Sequence, residues 1–390
     1  MNTQQTKSYF LSQPHQPFFL LGIINAICMM LVFLLNYKGI VILKIDALTF
    51  HSYALIFTLF SNVFNGFLFT TFPRFNQTQV IEQSFYTTLF FTNIAGSLFF
   101  LLGAFFSIYG IVLGMGILLF SHIASVQKLY TIYHKGMAPD KSDSFWILVA
   151  QFFGIVGHSL FILSLFVPFV LTFAITLSFF MYAIFLAFSV GQRMIPFFSH
   201  SFAPKDTKFI KIVFTLFLAH TLISITELHI LLAIIDLLLG SYTLYEFKRW
   251  QLHPLQSPPI LWVLHLALFW LPTAFFISTL TIVVEMYLDT SLYFLSIHLL
   301  ALGFLTTVLI GFGTRVILGH SGQAPHADNF TKYIFLFIQL VVVLRVLFSL
   351  SVAFSWGFDY FFEITALTWI ILFILWGSRY AKTLLVGVQR

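Results

Sequence analysis

The feature that most constrains this chain is a series of long apolar stretches separated by short polar segments. A helix needs about 20 apolar residues to cross a hydrocarbon core about 30 Å thick, and it satisfies its backbone hydrogen bonds internally. The sequence therefore predicts an all-α, polytopic membrane helix bundle that forms one integral-membrane domain over residues 1–390. The predicted transmembrane helices are the twelve stretches 18–36, 47–72, 86–107, 109–128, 144–162, 165–190, 208–226, 228–247, 259–280, 291–315, 330–350 and 358–381.

Prolines and polar residues mark the predicted ends of these spans. Helix breaks are expected at Pro73-Arg74 and from Pro196 to Lys208, because proline removes a backbone donor and collides with the preceding turn. A tight turn is expected at Ser107-Tyr109, between two apolar stretches.

Composition agrees with a location in the lipid bilayer. Only 8% of the 390 residues are charged and 59% are hydrophobic, with 53 Phe, whereas about a quarter of a soluble domain is charged. A soluble fold of this composition would expose large apolar patches, which soluble proteins rarely do. These figures exclude a soluble enzyme, a nucleic-acid-binding protein and a disordered chain.

The positive charge lies on one side of the predicted membrane. Sixteen of the 19 Lys and Arg precede the first span or lie on its side of the bilayer, Lys38 and Lys44 lie on the other side, and Arg345 is within a span. Cytoplasmic loops carry the excess of Lys and Arg. Both termini are therefore predicted to be cytoplasmic, which requires an even number of spans, and the net charge of +6 is attributed to topology.

Metal chemistry in this chain would have to use histidine, because the single Cys28 excludes a thiolate zinc site, an iron–sulfur cluster and an intramolecular disulfide. On the predicted topology, four spans each place one histidine near the outer face, and four imidazoles at one depth can ligate a metal or a haem. The alternative for each is a hydrogen bond to a neighbouring helix. The outer set is His51, His158, His220 and His298, and an inner set comprises His15, His200, His265, His320 and His326.

Three charged residues fall within the outer halves of spans, where ionisable groups are costly. They are Asp236, Arg345 and Glu363, and we expect one ion-paired structural cluster. The functional alternative is that Arg345 receives a haem propionate, because a guanidinium binds a carboxylate in a bidentate manner. Arg193 and Arg315 lie at inner helix ends, where cations suit the helix dipole and the lipid headgroups.

Five short segments follow one another in the order and spacing of a known family. They are Gln16-Pro17-Phe18-Phe19-Leu20, Phe50-His51-Ser52-Tyr53-Ala54, Gly191-Gln192-Arg193-Met194-Ile195-Pro196-Phe197-Phe198, Leu261-Trp262-Val263-Leu264-His265-Leu266, and His298 to Gly303 followed by Thr314-Arg315-Val316-Ile317-Leu318-Gly319-His320-Ser321-Gly322. In these segments the chain resembles the NnrS family of bacterial inner-membrane proteins. That family is known for haem- and copper-containing twelve-helix proteins linked to denitrification and relief of nitric-oxide stress.

The resemblance implies a set of ligands and cofactor contacts. The positions it favours as metal ligands are His51, His265, His298 and His320, and Arg193 and Arg315 fall within the matching motifs.

The chain also departs from the family pattern. Tyr53 and Ala54 stand where the family has the second His and the Glu of its His-x-His-Glu motif, and Gln16 stands where it has Arg. Because a His-x-His pair is a plausible copper-binding element, these departures argue against copper and leave haem b as the implied cofactor.

The leading hypothesis is a haem-b membrane protein of the bacterial inner membrane in which His51 and His298 hold the iron. Haem iron binds nitric oxide, so the expected role is sensing, sequestering or detoxifying NO, or electron transfer that supports it. Its partners would be the lipid bilayer, haem and NO, with no nucleic acid. Whether the protein is an enzyme is left open.

The alternative is a secondary transporter without a metal cofactor. Twelve spans and a basic central loop over Arg193–Lys211 are typical of such carriers. Against it, the two halves show no repeat and only Asp236 is an acidic residue suited to ion coupling at mid-membrane. A haem–copper oxidase subunit is excluded, because the chain has neither adjacent histidines nor a His-x-His on a later helix.

Overall fold

The computed structural model describes residues 9–254, 256–288, 290–358 and 360–387. Within these ranges the regular structure is entirely helical, and no strand occurs. The twelve long helices are α1 His15–Tyr37, α2 Ala47–Phe75, α3 Gln83–Phe106, α4 Ile108–Lys135, α5 Ser142–Ser164, α6 Pro168–Phe198, α7 Phe209–Ile223, α8 His229–Arg249, α9 Pro259–Leu288, α10 Phe294–His320, α11 Asn329–Ala353 and α12 Phe361–Val386. The chain is thus a multi-pass helical membrane protein, as predicted.

Eleven of the twelve helices are long and apolar enough to cross a membrane. The exception is α7, which has 15 residues and a length of about 22 Å at 1.5 Å per residue, less than the hydrocarbon core of about 30 Å. The predicted location of both termini on one side therefore depends on whether α7 crosses.

Both predicted helix breaks at prolines are confirmed, although each helix continues two residues past its proline. Pro73 lies inside α2, which continues to Phe75, and Pro196 lies inside α6, which continues to Phe198. Both prolines are in the last turn, so each removes one backbone hydrogen bond just before its helix ends, and membrane helices tolerate proline because neighbouring groups satisfy the freed carbonyl.

The tight turn between α3 and α4 is as predicted. Ser107 alone separates the two helices, and its hydroxyl caps α4 by accepting from the Tyr109 amide at 3.2 Å. The helices approach so closely that a Cβ on Gly103 would lie 2.3 Å from the Ile111 nitrogen. A glycine is therefore required for this backbone contact.

Three helices share one rare pattern: a short α segment, a π-helical segment, and a final α segment of 14 or 15 residues. The π segments are Ala54–Phe60 in α2, Ser178–Ile184 in α6 and Leu299–Thr306 in α10, and they begin 124 and 121 residues apart. π-helical turns are uncommon and concentrate at functional sites. In chain order, each lies in the second helix of a set of four.

A sequence match accompanies this pattern. The segment Gly191-Gln192-Arg193-Met194-Ile195 in α6 corresponds to Gly313-Thr314-Arg315-Val316-Ile317 in α10, 122 residues later. The repeat divides the chain into thirds, so the two halves of the chain do not correspond to each other.

The residues group into two compact units. The first comprises residues 1–148, 313–325 and 373–390, and the second comprises residues 149–312 and 326–372.

The first unit contains a buried carboxamide network at its π segment. The Thr58 carbonyl accepts from Asn25 Nδ2 at 2.8 Å and from Asn62 Nδ2 at 2.6 Å, and Asn62 Oδ1 accepts from Asn93 Nδ2 at 2.9 Å. The network links α1, α2 and α3, and it satisfies amides that would otherwise be costly in lipid.

Candidate functional site

The clearest candidate site in the second unit surrounds His298. This residue is in α10 immediately before the π segment Leu299–Thr306. Its Nδ1 lies 2.7 Å from the Phe294 carbonyl and 3.1 Å from Nη2 of Arg345. Nδ1 cannot bond to both groups at once, because a carbonyl only accepts and a guanidinium only donates; in the tautomer that donates to the Phe294 carbonyl, the proton is on Nδ1 and the lone pair is on Nε2. A metal-ligating histidine has the same arrangement, with its second nitrogen donating to a carbonyl or carboxylate.

Arg345 brings a buried positive charge to this site. Its side chain in α11 is 9% exposed, donates to Ser349 Oγ at 2.5 Å and lies 5.0 Å from the centre of the Phe348 ring. No carboxylate of the described residues forms an ion pair with it. A buried charge without a partner is strongly unfavourable, so this guanidinium suits a carboxylate supplied by a ligand.

The sequence predicts that Asp236, Arg345 and Glu363 form one ion-paired cluster. This prediction is wrong for Asp236 and Arg345, which do not pair. Asp236 in α8 instead binds His220 in α7, with 2.5 Å between Oδ1 and Nδ1. Oδ2 of this fully buried carboxylate has no hydrogen-bond partner. The His220 ring contacts Phe180 and Phe275, with centroid distances of 4.2 and 5.6 Å. His220 therefore follows the alternative of a hydrogen bond between helices.

His265 is held by hydroxyl groups on both sides of its ring. Ser199 Oγ lies 2.7 Å from Nε2, and Ser257 Oγ lies 3.5 Å from Nδ1. These contacts fix the start of α9 to the residue that follows α6. They favour a positioning role for His265.

In the first unit, His51 and Tyr53 have aromatic surroundings. The half-buried His51 ring stacks on Phe33 at 4.3 Å with an interplanar angle of 28°. Tyr53 is fully buried, with its ring 5.2 Å from that of Phe57 and 4.7 Å from that of Phe100. The position that carries a histidine in the family motif thus belongs to an apolar core here.

The first unit also brings two histidines together. The rings of His15, at the start of α1, and His320, at the end of α10, have centroids 5.0 Å apart at an interplanar angle of 48°. The positive charge of Arg74, near the end of α2, acts on both rings. The sequence analysis places both histidines in the inner set, but only His320 lies within a family motif, and His15 directly precedes the Gln16-Pro17-Phe18-Phe19 motif.

The remaining candidates do not complete a metal centre. Arg193 is in the second unit and Arg315 in the first, each half-buried near the end of its helix. In the described part of the chain, no group of three or more His, Cys, Asp or Glu side chains could hold a metal ion. A centre built from four imidazoles is therefore absent from those residues, whereas single histidine ligands remain.

The fold and these side chains define a polytopic membrane helix bundle with histidine and arginine groups buried inside its spans. The family described as "NnrS protein" matches residues 9–386, nearly the whole chain. The chain belongs to the NnrS family, which confirms the resemblance, and this membership suggests involvement in the nitric-oxide response. A search of curated proteins gave no match.

Proposed function

We propose that this protein binds haem b in its second unit and acts in the nitric-oxide response at the bacterial inner membrane. The observation that carries the proposal is the pairing of His298 with Arg345. The histidine Nδ1 is within hydrogen-bond distance of the Phe294 carbonyl, and donation to that carbonyl puts the lone pair on Nε2, as in a metal ligand; the adjacent buried guanidinium has no carboxylate partner among the described residues.

Each residue has a distinct role in this proposal. His298 ligates the iron through Nε2, and its hydrogen bond to the Phe294 carbonyl fixes the plane of the ring. Arg345 binds a propionate, and Ser349 holds the guanidinium in position. His51, which the family motif favours, belongs to the first unit and is a proposed metal ligand there.

The other motif residues have weaker claims. Arg193 and Arg315 are proposed cofactor contacts because they lie in the matching segments. His265 has two hydroxyl partners already. His320 lies in the first unit, where its ring is next to that of His15.

Haem supplies an iron atom that binds NO, and the polarity of the pocket determines whether NO is held or transformed. The chain contributes ligand orientation, charge compensation and exclusion of water. Copper does not fit the described residues, because they contain no group of three ligands and Tyr53 is packed among phenyl rings. No copper site is proposed.

The test is a reduced-minus-oxidised visible spectrum of purified protein expressed with ample haem, recorded with and without NO. We expect a Soret band with α and β bands that shift when NO is added. His298→Ala should lose at least about tenfold in haem per protein, as expected when an axial ligand is removed. His134→Ala is the matched control, because His134 is exposed at the end of α4.

A second pair of variants tests the propionate contact. Arg345→Met should lower haem retention during dialysis, and Arg345→Lys should restore it only in part, because lysine cannot make the bidentate contact. Full haem occupancy and an unchanged spectrum in His298→Ala would contradict the proposal.

The alternative function is secondary transport. One observation favours it: the fully buried Asp236 carboxylate has an oxygen without a hydrogen-bond partner, as an ion-coupling group can have. A featureless spectrum from haem-replete wild-type protein would make transport the leading function.

A further inference from the structure

Two nitrogen atoms at the start of α1 are buried without a hydrogen-bond partner. They are His15 Nδ1 and Gln16 Nε2, and the two side chains are only 3% and 1% exposed. Buried polar atoms are almost always paired, and leaving a donor unpaired costs about 1–3 kcal/mol. Two such atoms on consecutive residues indicate a missing partner.

The Gln16 carboxamide is fixed in orientation by its other end. Its Oε1 accepts from the Gln13 amide at 2.8 Å and from Ser12 Oγ at 3.1 Å. These bonds cap the N-terminal turn of α1, since Pro14 offers no side-chain cap. Nε2 is therefore left as a positioned donor that the helix does not use.

The surroundings of these donors are positive. The His15 ring lies beside His320 with 5.0 Å between centroids, and Arg74 acts electrostatically on both rings. No carboxylate of the described residues acts on either ring. The donors also lie at the N-terminus of the 23-residue helix α1, the positive end of its dipole.

We propose that His15, Gln16, His320 and Arg74 form a binding site for a small oxyanion group, a carboxylate or a nitrite-like anion. Each unused donor suits one oxygen atom of an anion, with His15 as the Nδ1–H tautomer. Arg74 is exposed and His320 is half-exposed, so the site opens at the edge of the first unit. The proposal is independent of the haem site at His298.

The experiment is calorimetric titration of sodium nitrite, and separately of sodium acetate, into haem-free full-length protein in lipid nanodiscs. Gln16→Leu and His15→Leu should each weaken binding by about tenfold or more, because each removes a hydrogen bond to a charged group. Gln16→Arg should tighten binding by about tenfold, because it adds a charge-assisted donor. His134→Leu should bind like the wild type.

The outcomes answer two questions: whether the site exists, and which kind of anion occupies it. Tighter binding of acetate than of nitrite would identify a carboxylate as the preferred occupant, and tighter binding of nitrite would identify a small inorganic anion; both support the site. Absence of nitrite and acetate binding in haem-free wild type would overturn it. Unchanged affinity in Gln16→Arg would also overturn it, and this variant is informative even if the leucine variants fail to fold.

Discussion

Nδ1 of His220 lies 2.5 Å from Oδ1 of Asp236, and this pair joins α7 to α8 among phenyl rings. Removing one member of a buried pair leaves the other polar group without its partner, a change that typically costs several kcal/mol. The pair therefore explains how the short helix α7 is held in the second unit.

The first prediction concerns this pair. Asp236→Ala should lower the free energy of unfolding by about 3 kcal/mol, whereas the double variant His220→Leu/Asp236→Leu should recover most of the loss. Thermal unfolding of the purified variants in one detergent measures the difference. Equal stability of Asp236→Ala and the wild type would show that the pair is not a stabilising contact.

The second prediction concerns packing beside the proposed haem ligand. A Cβ on Gly303, in the π segment of α10, would lie 2.7 Å from the Trp270 ring. That ring cannot move freely, because Nε1 donates to Gln339 Oε1 at 2.8 Å. Gly303→Ala should therefore destabilise the protein by about 1–3 kcal/mol.

A matched control for this overpacking is Gly116→Ala in α4. A Cβ on Gly116 would meet no atom within 4 Å, and alanine is a better helix former than glycine. This variant should melt at or above the wild-type temperature. A lower melting temperature for Gly116→Ala than for Gly303→Ala would contradict the packing argument.

The third prediction concerns the carboxamide network of the first unit. Asn62 donates to the Thr58 carbonyl and accepts from Asn93, so Asn62→Ala removes both contacts. The expected loss of unfolding free energy is about 1–2 kcal/mol, the range for polar contacts between membrane helices. Thr92→Ala on the exposed face of α3 should change stability little, and the same thermal assay compares them.

The fourth prediction concerns topology. In a Cys28→Ala background, cysteines placed at Ser8 and Gln389 should both react with an impermeant thiol reagent only from the cytoplasmic side, because the Lys and Arg excess places both termini there. A cysteine at Thr226, just after α7, should react only from outside. Reaction of Thr226→Cys from the cytoplasmic side would show that α7 does not cross, and the termini would then lie on opposite sides.

The sequence predicts the spans well because hydropathy over about 20 residues is a strong signal. The helix ends at Pro73 and Pro196 are shifted by two residues, because membrane helices tolerate a proline that a soluble helix would exclude.

The candidate site is only partly readable from the sequence. The motif around His298 points to a ligand, but the partnership with Arg345 joins residues 47 positions apart, and no periodicity encodes such a contact. The pairing of His15 with His320 is more distant still, because it joins the first and tenth helices. For the same reason, the sequence predicts that Asp236 pairs with Arg345, whereas its partner in the structure is His220.

The three π segments have a consequence for the history of the chain. A π turn holds about one residue more than an α turn, so one inserted residue is enough to convert an α turn into it. Three separate insertions at corresponding positions of α2, α6 and α10 are less economical than one insertion in a four-helix ancestor that was later triplicated. On this account the irregular turn is older than the separation of the three copies, two of which now have a histidine within three residues before it, His51 and His298.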